Sequence, residues 1–193
     1  MKWILKLAGL IYLVLSIVYR VYLFQGLDYS LSIQNIMTFG LNHILGVLVA
    51  LGIALILILE HKPSLFMILV FSSALGIFQN VIDIFQNLDF SEPIMTIDLI
   101  MIFTPFAFHG ITLLGLMMVY TKAGKALIIW MQSMLILFYG YYLYAVYYIS
   151  PFDTALMQKF FVIYTITHMV YGLLMISTVL YWFRQNKDDL LPA

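Results

Sequence analysis

The side chains of this sequence that could carry chemistry are polar and ionisable groups inside long apolar segments. Arg20, His43, Asn80, Asp83 and Asp98 all lie in such segments. A charged group at the centre of a membrane helix costs about 2.5–3.5 kcal/mol, so it normally faces a bundle interior or a watery cavity. We therefore predict that these residues line a polar pocket that binds a ligand.

Arg20 and Asp83 are expected at similar depth, because each lies in the outer third of its segment. An ion pair between them would offset much of the cost that each charge has alone. One interpretation is that the pair only fixes helix register. The other is that both residues line an outward-facing pocket together with His43, Asn80 and Asp98.

Polar and small residues also follow one face of the first and third apolar segments. They recur at intervals of three and four, which places side chains on one side of a helix. On the first segment they are Gly9, Tyr12, Ser16, Tyr19 and Arg20. On the third they are Ser72, Ser73, Gly76, Gln79, Asn80, Asp83, Gln86 and Asn87. These stripes predict that both segments turn a polar face toward the interior of a bundle.

His109 and His168 form a second set of candidates, since each lies about midway along its segment. Two mid-membrane histidines can ligate a b-type haem, carry protons or bind a quinone. They can also simply hydrogen-bond a neighbouring helix. Asp98 precedes His109 by eleven residues, which is ~16 Å along a helix and excludes direct contact.

Several kinds of site are excluded by composition. The chain has no cysteine, which removes disulfides, thiolate metal sites and iron–sulfur clusters. The four histidines show no zinc spacing, so we predict no metal site. The sequence contains no Gly-x-Ser-x-Gly stretch. We identify no catalytic residue and no family signature, and we expect a protein that is not an enzyme.

The composition is that of an integral membrane protein. The 193 residues are 64% hydrophobic and 9% charged, with a mean hydropathy of +1.04. Soluble domains are about 45–50% apolar and about 25% charged, so this chain cannot cover a water-exposed surface. The formal net charge is zero, and no basic cluster is available to bind nucleic acid.

The elements that must position the candidate residues are apolar segments of about 20 residues or more, the length of a membrane helix. Six are present, separated by Pro, Gly, Ser or Thr, over residues 3–24, 41–60, 64–88, 94–120, 125–148 and 155–183. We predict an all-α bundle of six transmembrane helices forming one membrane domain over residues 1–193. A short interfacial helix is predicted over residues 28–38.

The orientation follows from the positive charges, because short basic loops resist translocation. With both termini in the cytoplasm, the residues on that side are Lys2, Lys6, Lys62, Lys122, Lys125, Arg184 and Lys187. Only Arg20 and Lys159 then lie toward the outside. We expect this topology in a bacterial cytoplasmic membrane.

Three functions agree with these features. The first is a protein that binds or transports a small solute or lipid through the outward-facing pocket. The second is a redox subunit with haem b or a quinone between His109 and His168. The third is an accessory subunit of a larger membrane complex.

Overall fold

The computed structural model describes residues 2–25, 33–87, 96–148 and 155–183. These residues form helices and no strand, which confirms the all-α prediction. The helices are α1 (Lys2–Gln25), α2 (Ile33–Leu59), α3 (Lys62–Asn87), α4 (Thr96–Met117), α5 (Lys122–Tyr148) and α6 (Ala155–Tyr181).

Four of the helices are long and apolar enough to cross a membrane. The qualifying stretches are Lys2–Tyr22, Lys62–Val81, Lys122–Tyr144 and Gln158–Tyr181. In α2 and α4, His43–Leu59 and Phe106–Met117 are shorter apolar stretches. Large apolar side chains such as Leu7, Leu48 and Leu137 are exposed on the outer surface, as expected for helices that contact lipid.

The second helix begins earlier than the sequence predicts. It runs without interruption from Ile33 to Leu59, so residues 33–38 are its first turns and the prediction of a separate interfacial helix is wrong for them. Residues 28–32 lie outside the described part of the chain. No proline interrupts this stretch, and a glycine such as Gly40 weakens a helix by only about 1 kcal/mol.

The helices pack as a closed ring. Each contacts its neighbours in the sequence, and α1 closes the ring against α6. The rings of Tyr12 and Tyr171 are 5.3 Å apart, and those of Tyr19 and Tyr164 are 5.6 Å apart. A later residue on α1 thus meets an earlier residue on α6, so these two helices are antiparallel.

One end of the ring contains the turn at Glu60 and His61, the turn at residues 118–121, the start of α1 and the end of α6; we call it the Glu60 end. Glu60 has a φ of 57°, and the His61 amide donates to the Ile56 carbonyl at 3.3 Å. Many helices end at a residue in this left-handed conformation, and that residue is usually glycine.

The Glu60 carboxylate lies 2.5 Å from Lys2 Nζ and 2.9 Å from Lys6 Nζ. These two ion pairs hold the α2–α3 turn against α1. Hydrogen bonds from Lys2 and Lys6 lower the pKa of Glu60 to about 2.

A side chain caps the helix that follows each of the two described turns. Thr121 Oγ1 accepts a hydrogen bond from the Gly124 amide at 2.9 Å and so caps the start of α5. At the start of α3, the His61 ring contacts Ser64 Oγ at 2.6 Å.

The apolar core fills the half of the ring nearest the Glu60 end. Leu57, Leu65, Leu116, Ile128 and Met175 are fully buried there. They belong to one cluster that includes residues of all six helices. This half of the ring interior therefore contains no open channel among the described residues.

Candidate functional site

A polar cavity of about 120 Å³ lies inside the ring, around the middle of the helices. Side chains or backbone from five helices line it: Tyr12, Ser16, Tyr19, Arg20, Gly46, Val49, Ser72, Leu75, Gly76, Gln79, His109, Thr167, His168 and Tyr171. The site is therefore built by residues far apart in the sequence, and no single helix hairpin could form it.

Arg20 is held in the cavity wall by α1 itself. Its Nη1 donates to the Ser16 carbonyl oxygen at 2.8 Å, and its guanidinium carbon lies 4.4 Å from the centre of the Tyr19 ring. The Nε atom is buried and has no hydrogen-bond partner in the described part of the protein. One donor of a permanently charged group is thus unused inside the ring.

Gly46 lets α2 approach Arg20 closely. A Cβ atom at this position would overlap with Arg20 Nη2. The guanidinium therefore occupies the space that a side chain on α2 would take. The absence of a Cβ at Gly46 is what allows the cation to lie between α1 and α2.

Gly76 has the same role for His109. A Cβ on Gly76 would lie 2.5 Å from Cε1 and Nδ1 of the imidazole, so the ring lies flat against the α3 backbone. Asn80 donates from its side-chain amide to the Gly76 carbonyl at 2.7 Å. Asn80 is not among the residues that line the cavity, because its amide is bonded to its own helix.

His168 is positioned by aromatic side chains on the α5–α6 side of the ring. Its Nδ1 donates to the Tyr164 carbonyl at 2.8 Å, so Nδ1 carries the proton in the neutral ring. The imidazole stacks on Tyr139 at 4.8 Å and contacts Tyr164 at 4.2 Å between ring centres. The tyrosine hydroxyls are 3.5 Å apart.

Tyr12, Tyr171 and Val49 separate the cavity from the apolar core. All three line the cavity and also pack in or against the core cluster. The Tyr171 hydroxyl lies 3.3 Å from Ser72 Oγ, so the tyrosine presents its polar tip to the cavity and its ring to the core. This layer closes the cavity toward the Glu60 end.

The structure brings together residues from both predicted sets of candidates. Arg20, His109 and His168 line one cavity. His43 lies instead on the outer side of Arg20, in a groove between α1 and α2. Asp83 and Asp98 belong to α3 and α4, but their side chains are not among those that the structure describes, so their predicted role in the pocket lies outside it.

Six lining residues were present in the predicted polar stripes but were not named as site residues: Tyr12, Ser16, Tyr19, Ser72, Gly76 and Gln79. Their spacing was the available signal. Thr167 and Tyr171 on α6 were also missed as site residues. Polar residues such as Tyr164 and Tyr171 flank His168 at helical spacing, but only the packing of the helices shows which of them reach the cavity.

The size of the cavity limits what it can hold. Pockets for drug-sized ligands measure about 300–1,000 Å³, whereas this cavity measures about 120 Å³. A porphyrin is larger than this space, so the arrangement of His109 and His168 does not fit a haem between them. The described residues contain no group of three or more His, Asp or Glu side chains that could hold a metal ion.

No protein-family model, no curated protein and no solved structure matches the chain.

Proposed function

We propose that the chain is a polytopic membrane protein of six spans that binds or transports a small polar solute in this cavity. The observation that supports the proposal is the convergence of five helices on a polar space at mid-length. Polar side chains inside a membrane helix are costly and normally face a site of function. Solute sites of membrane transporters commonly lie near the midplane.

The proposed opening of the cavity is toward the end opposite Glu60. On the Glu60 side, the layer of Tyr12, Tyr171 and Val49 rests on a fully buried apolar core. On the other side, the lining continues with Arg20 and Gln79.

The charge of the lining favours an anionic solute. Arg20 is the only Lys, Arg, Asp or Glu among the described lining residues. A guanidinium stays protonated and presents paired N–H groups that match carboxylate or phosphate oxygens. His109, His168 and the tyrosine hydroxyls would supply further hydrogen bonds.

The proposed orientation places the Glu60 end in the cytoplasm. The basic residues described at this end are Lys2, Lys6, Lys62, Lys122 and Lys125. Short loops that contain such positive charges remain on the cytoplasmic side of the membrane. The cavity would then open to the outside of a bacterial cytoplasmic membrane, with the lipid bilayer as the partner of the outer surface.

The natural absence of cysteine gives a direct test, because single cysteines can be introduced without background labelling. Ser72→Cys places a thiol in the cavity, and Ala50→Cys places one in the buried half of α2. Oriented vesicles would be treated from either side with sulfonatoethyl or trimethylammonioethyl methanethiosulfonate. Labelling rates would be normalised to those of a free thiol.

We expect Ser72→Cys to react from the side opposite Glu60, and about tenfold faster with the anionic reagent because of Arg20. Ala50→Cys should not react. Adding Arg20→Gln should remove the preference for the anion. Equal, slow labelling of both thiols would contradict the proposal, and labelling only from the Glu60 side would contradict the proposed opening.

A further inference from the structure

Two residues of α6 that line the polar cavity use their hydrogen-bond donors within their own helix. Thr167 Oγ1 donates to the Ile163 carbonyl at 2.6 Å, and His168 Nδ1 donates to the Tyr164 carbonyl at 2.8 Å. A threonine hydroxyl and a neutral imidazole have one donor each. Thr167 and His168 can therefore only accept hydrogen bonds from a solute in the cavity.

Nε2 of His168 is an acceptor that faces no described donor. The Tyr164 carbonyl fixes the proton on Nδ1, so Nε2 carries the lone pair of the neutral ring. The ring stacks on Tyr139 at 4.8 Å, which fixes its plane. In the part of the chain that the structure describes, no group donates a hydrogen bond to Nε2. This nitrogen is available to a solute that has an O–H or N–H group.

His109 supplies a donor to the same cavity from α4. The face of its imidazole lies against the α3 backbone at Gly76, so both ring nitrogens lie at the free edge of the ring. The imidazole makes no hydrogen bond with any group that the structure describes. One nitrogen of a neutral imidazole carries a proton. His109 can therefore donate a hydrogen bond to an anion in the cavity.

Arg20 contributes its charge to the cavity rather than the Nε–Nη2 edge of its guanidinium. Nε is buried, Nη2 is packed against Gly46, and Nη1 donates to the Ser16 carbonyl. The attraction between charges is stronger inside a protein than in water because the effective dielectric constant is lower. An anion is thus attracted into the cavity and takes its direct hydrogen bond from another residue.

We infer that the solute of this cavity is a short hydroxycarboxylate, whose hydroxyl donates to Nε2 of His168 and whose carboxylate accepts from the imidazole N–H of His109. This inference rests on the proposed function and names the class of solute for the same site. It makes His168 the residue that distinguishes a hydroxy acid from a plain carboxylate. An anion without a hydroxyl leaves Nε2 unpaired inside the ring, which weakens its binding.

The size and the apolar part of the lining favour a short organic anion. The cavity measures about 120 Å³, and a water takes up about 30 Å³ in the liquid, so there is room for about four waters. A two- or three-carbon hydroxy acid such as glycolate or lactate suits this space. Val49 and Leu75 also line the cavity and would contact the carbon atoms of such an acid. Inorganic anions offer no carbon chain to these two side chains.

Binding of small anions to the full chain in phosphatidylcholine nanodiscs tests the inference. Dissociation constants would be measured by isothermal titration at about pH 8, where imidazole is neutral. Glycolate should bind at least about tenfold more tightly than acetate, which lacks the hydroxyl. Lactate should bind well, whereas its isomer methoxyacetate, whose ether oxygen has no hydrogen to donate, should bind poorly. Equal binding of lactate and methoxyacetate would overturn the inference.

His168→Phe removes the acceptor and keeps a flat ring beside Tyr139 and Tyr164. The Tyr164 carbonyl keeps its helical hydrogen bond from the amide of residue 168, so the fold should persist. This variant should bind glycolate and acetate equally, with acetate bound as in the native protein. His61→Phe is the matched control, because His61 lies in the turn before α3 and outside the cavity. It should retain the preference for glycolate.

His109→Phe tests the other end of the solute. It removes the donor assigned to the carboxylate, so it should weaken glycolate and acetate by the same factor and leave their ratio unchanged. A loss of glycolate binding alone would overturn the assignment of the two ends. A preference for glycolate that persists in His168→Phe would overturn the role of His168.

The outcomes separate this inference from the proposed function. If Ser72→Cys is labelled but glycolate binds no better than acetate, the hydroxycarboxylate assignment is overturned and the solute cavity stands. If hydrogencarbonate or phosphate binds more tightly than glycolate, the assignment is overturned in favour of an inorganic anion. If Ser72→Cys is not labelled, the proposed function itself fails.

Discussion

Leu65 and Leu69 on α3 are buried in the apolar core, whereas Ser72 and Gln79 on the same helix face the polar cavity. The change occurs within one turn, at the level where Tyr171 contacts Ser72. On α6, Met175 and Val179 lie in the core, and Thr167 and His168 line the cavity. The same helices thus build two regions with opposite chemistry.

Glycines permit close packing in both regions but accommodate different side chains. In the core, Gly52 makes room for Ile68, and Gly9 lies beside Leu57, whose Cδ1 would be 2.7 Å from an added Cβ. In the cavity, Gly46 and Gly76 make room for Arg20 and His109. Close approach of helices at glycine therefore serves apolar packing and stability in the core half. In the cavity half, it positions polar side chains.

The largest expected effect is on the core. Leu69→Ala should lower the free energy of unfolding by about 2–5 kcal/mol, because it leaves a void in a fully packed cluster. Ser72→Ala, one turn away, should cost at most about 1 kcal/mol. The free energies of unfolding of both variants, measured in mixed micelles, test this difference. Equal losses would show that the two regions do not differ in packing.

Gly76→Ala should have the next largest effect. The new methyl group would displace the imidazole of His109, and overpacking of this kind costs about 1–3 kcal/mol. Gly110→Ala is the matched control, since an added Cβ there meets nothing within 4 Å. In a double-mutant cycle, His109→Ala should remove most of the destabilisation that Gly76→Ala causes. No coupling in that cycle would contradict the packing of His109 on Gly76.

Gly46→Ala should affect the selectivity of the cavity more than stability. The atom that must move is the flexible end of Arg20, so the cost should be smaller than that of Gly76→Ala. The displaced guanidinium should reduce the preference of Ser72→Cys for the anionic labelling reagent. An unchanged preference would mean that Arg20 does not set the charge of the cavity.

The smallest expected effect is at Glu60. Lys2 and Lys6 lower the pKa of its carboxyl to about 2, so the ion pairs stabilise the fold above the unfolded pKa of about 4.3. That contribution is lost as the pH falls through the folded value. Glu60→Gln should melt slightly below the native protein at about pH 7, and most of this difference should disappear by about pH 2, where the folded Glu60 is about half protonated. A persistent difference in acid would contradict this assignment.

The helices could be predicted from the sequence because their signals are local. Apolar length and capping residues such as Thr121 determine where a helix begins. The start of α2 was missed because its first turns are more polar than a membrane span. The polar stripes on α1 and α3 were also visible, and they contain seven of the residues that line the cavity.

The convergence of Arg20, His109 and His168 could not be predicted in the same way. Helical periodicity gives the face of a helix but not its neighbour in the ring. The closing contact between α1 and α6 brings His168 beside the first helix, and only packing of the whole ring establishes it. The roles of Gly46 and Gly76 likewise depend on a side chain from another helix.

A series of single cysteines along α3 tests the boundary between the two regions most directly. Gln79→Cys, Ser72→Cys, Leu69→Cys and Leu65→Cys would each be labelled with sulfonatoethyl methanethiosulfonate added from the side opposite Glu60. We predict rapid labelling at Gln79→Cys and Ser72→Cys and none at Leu69→Cys and Leu65→Cys. A gradual decline along the helix, or labelling at Leu65→Cys, would contradict a polar cavity closed by an apolar core.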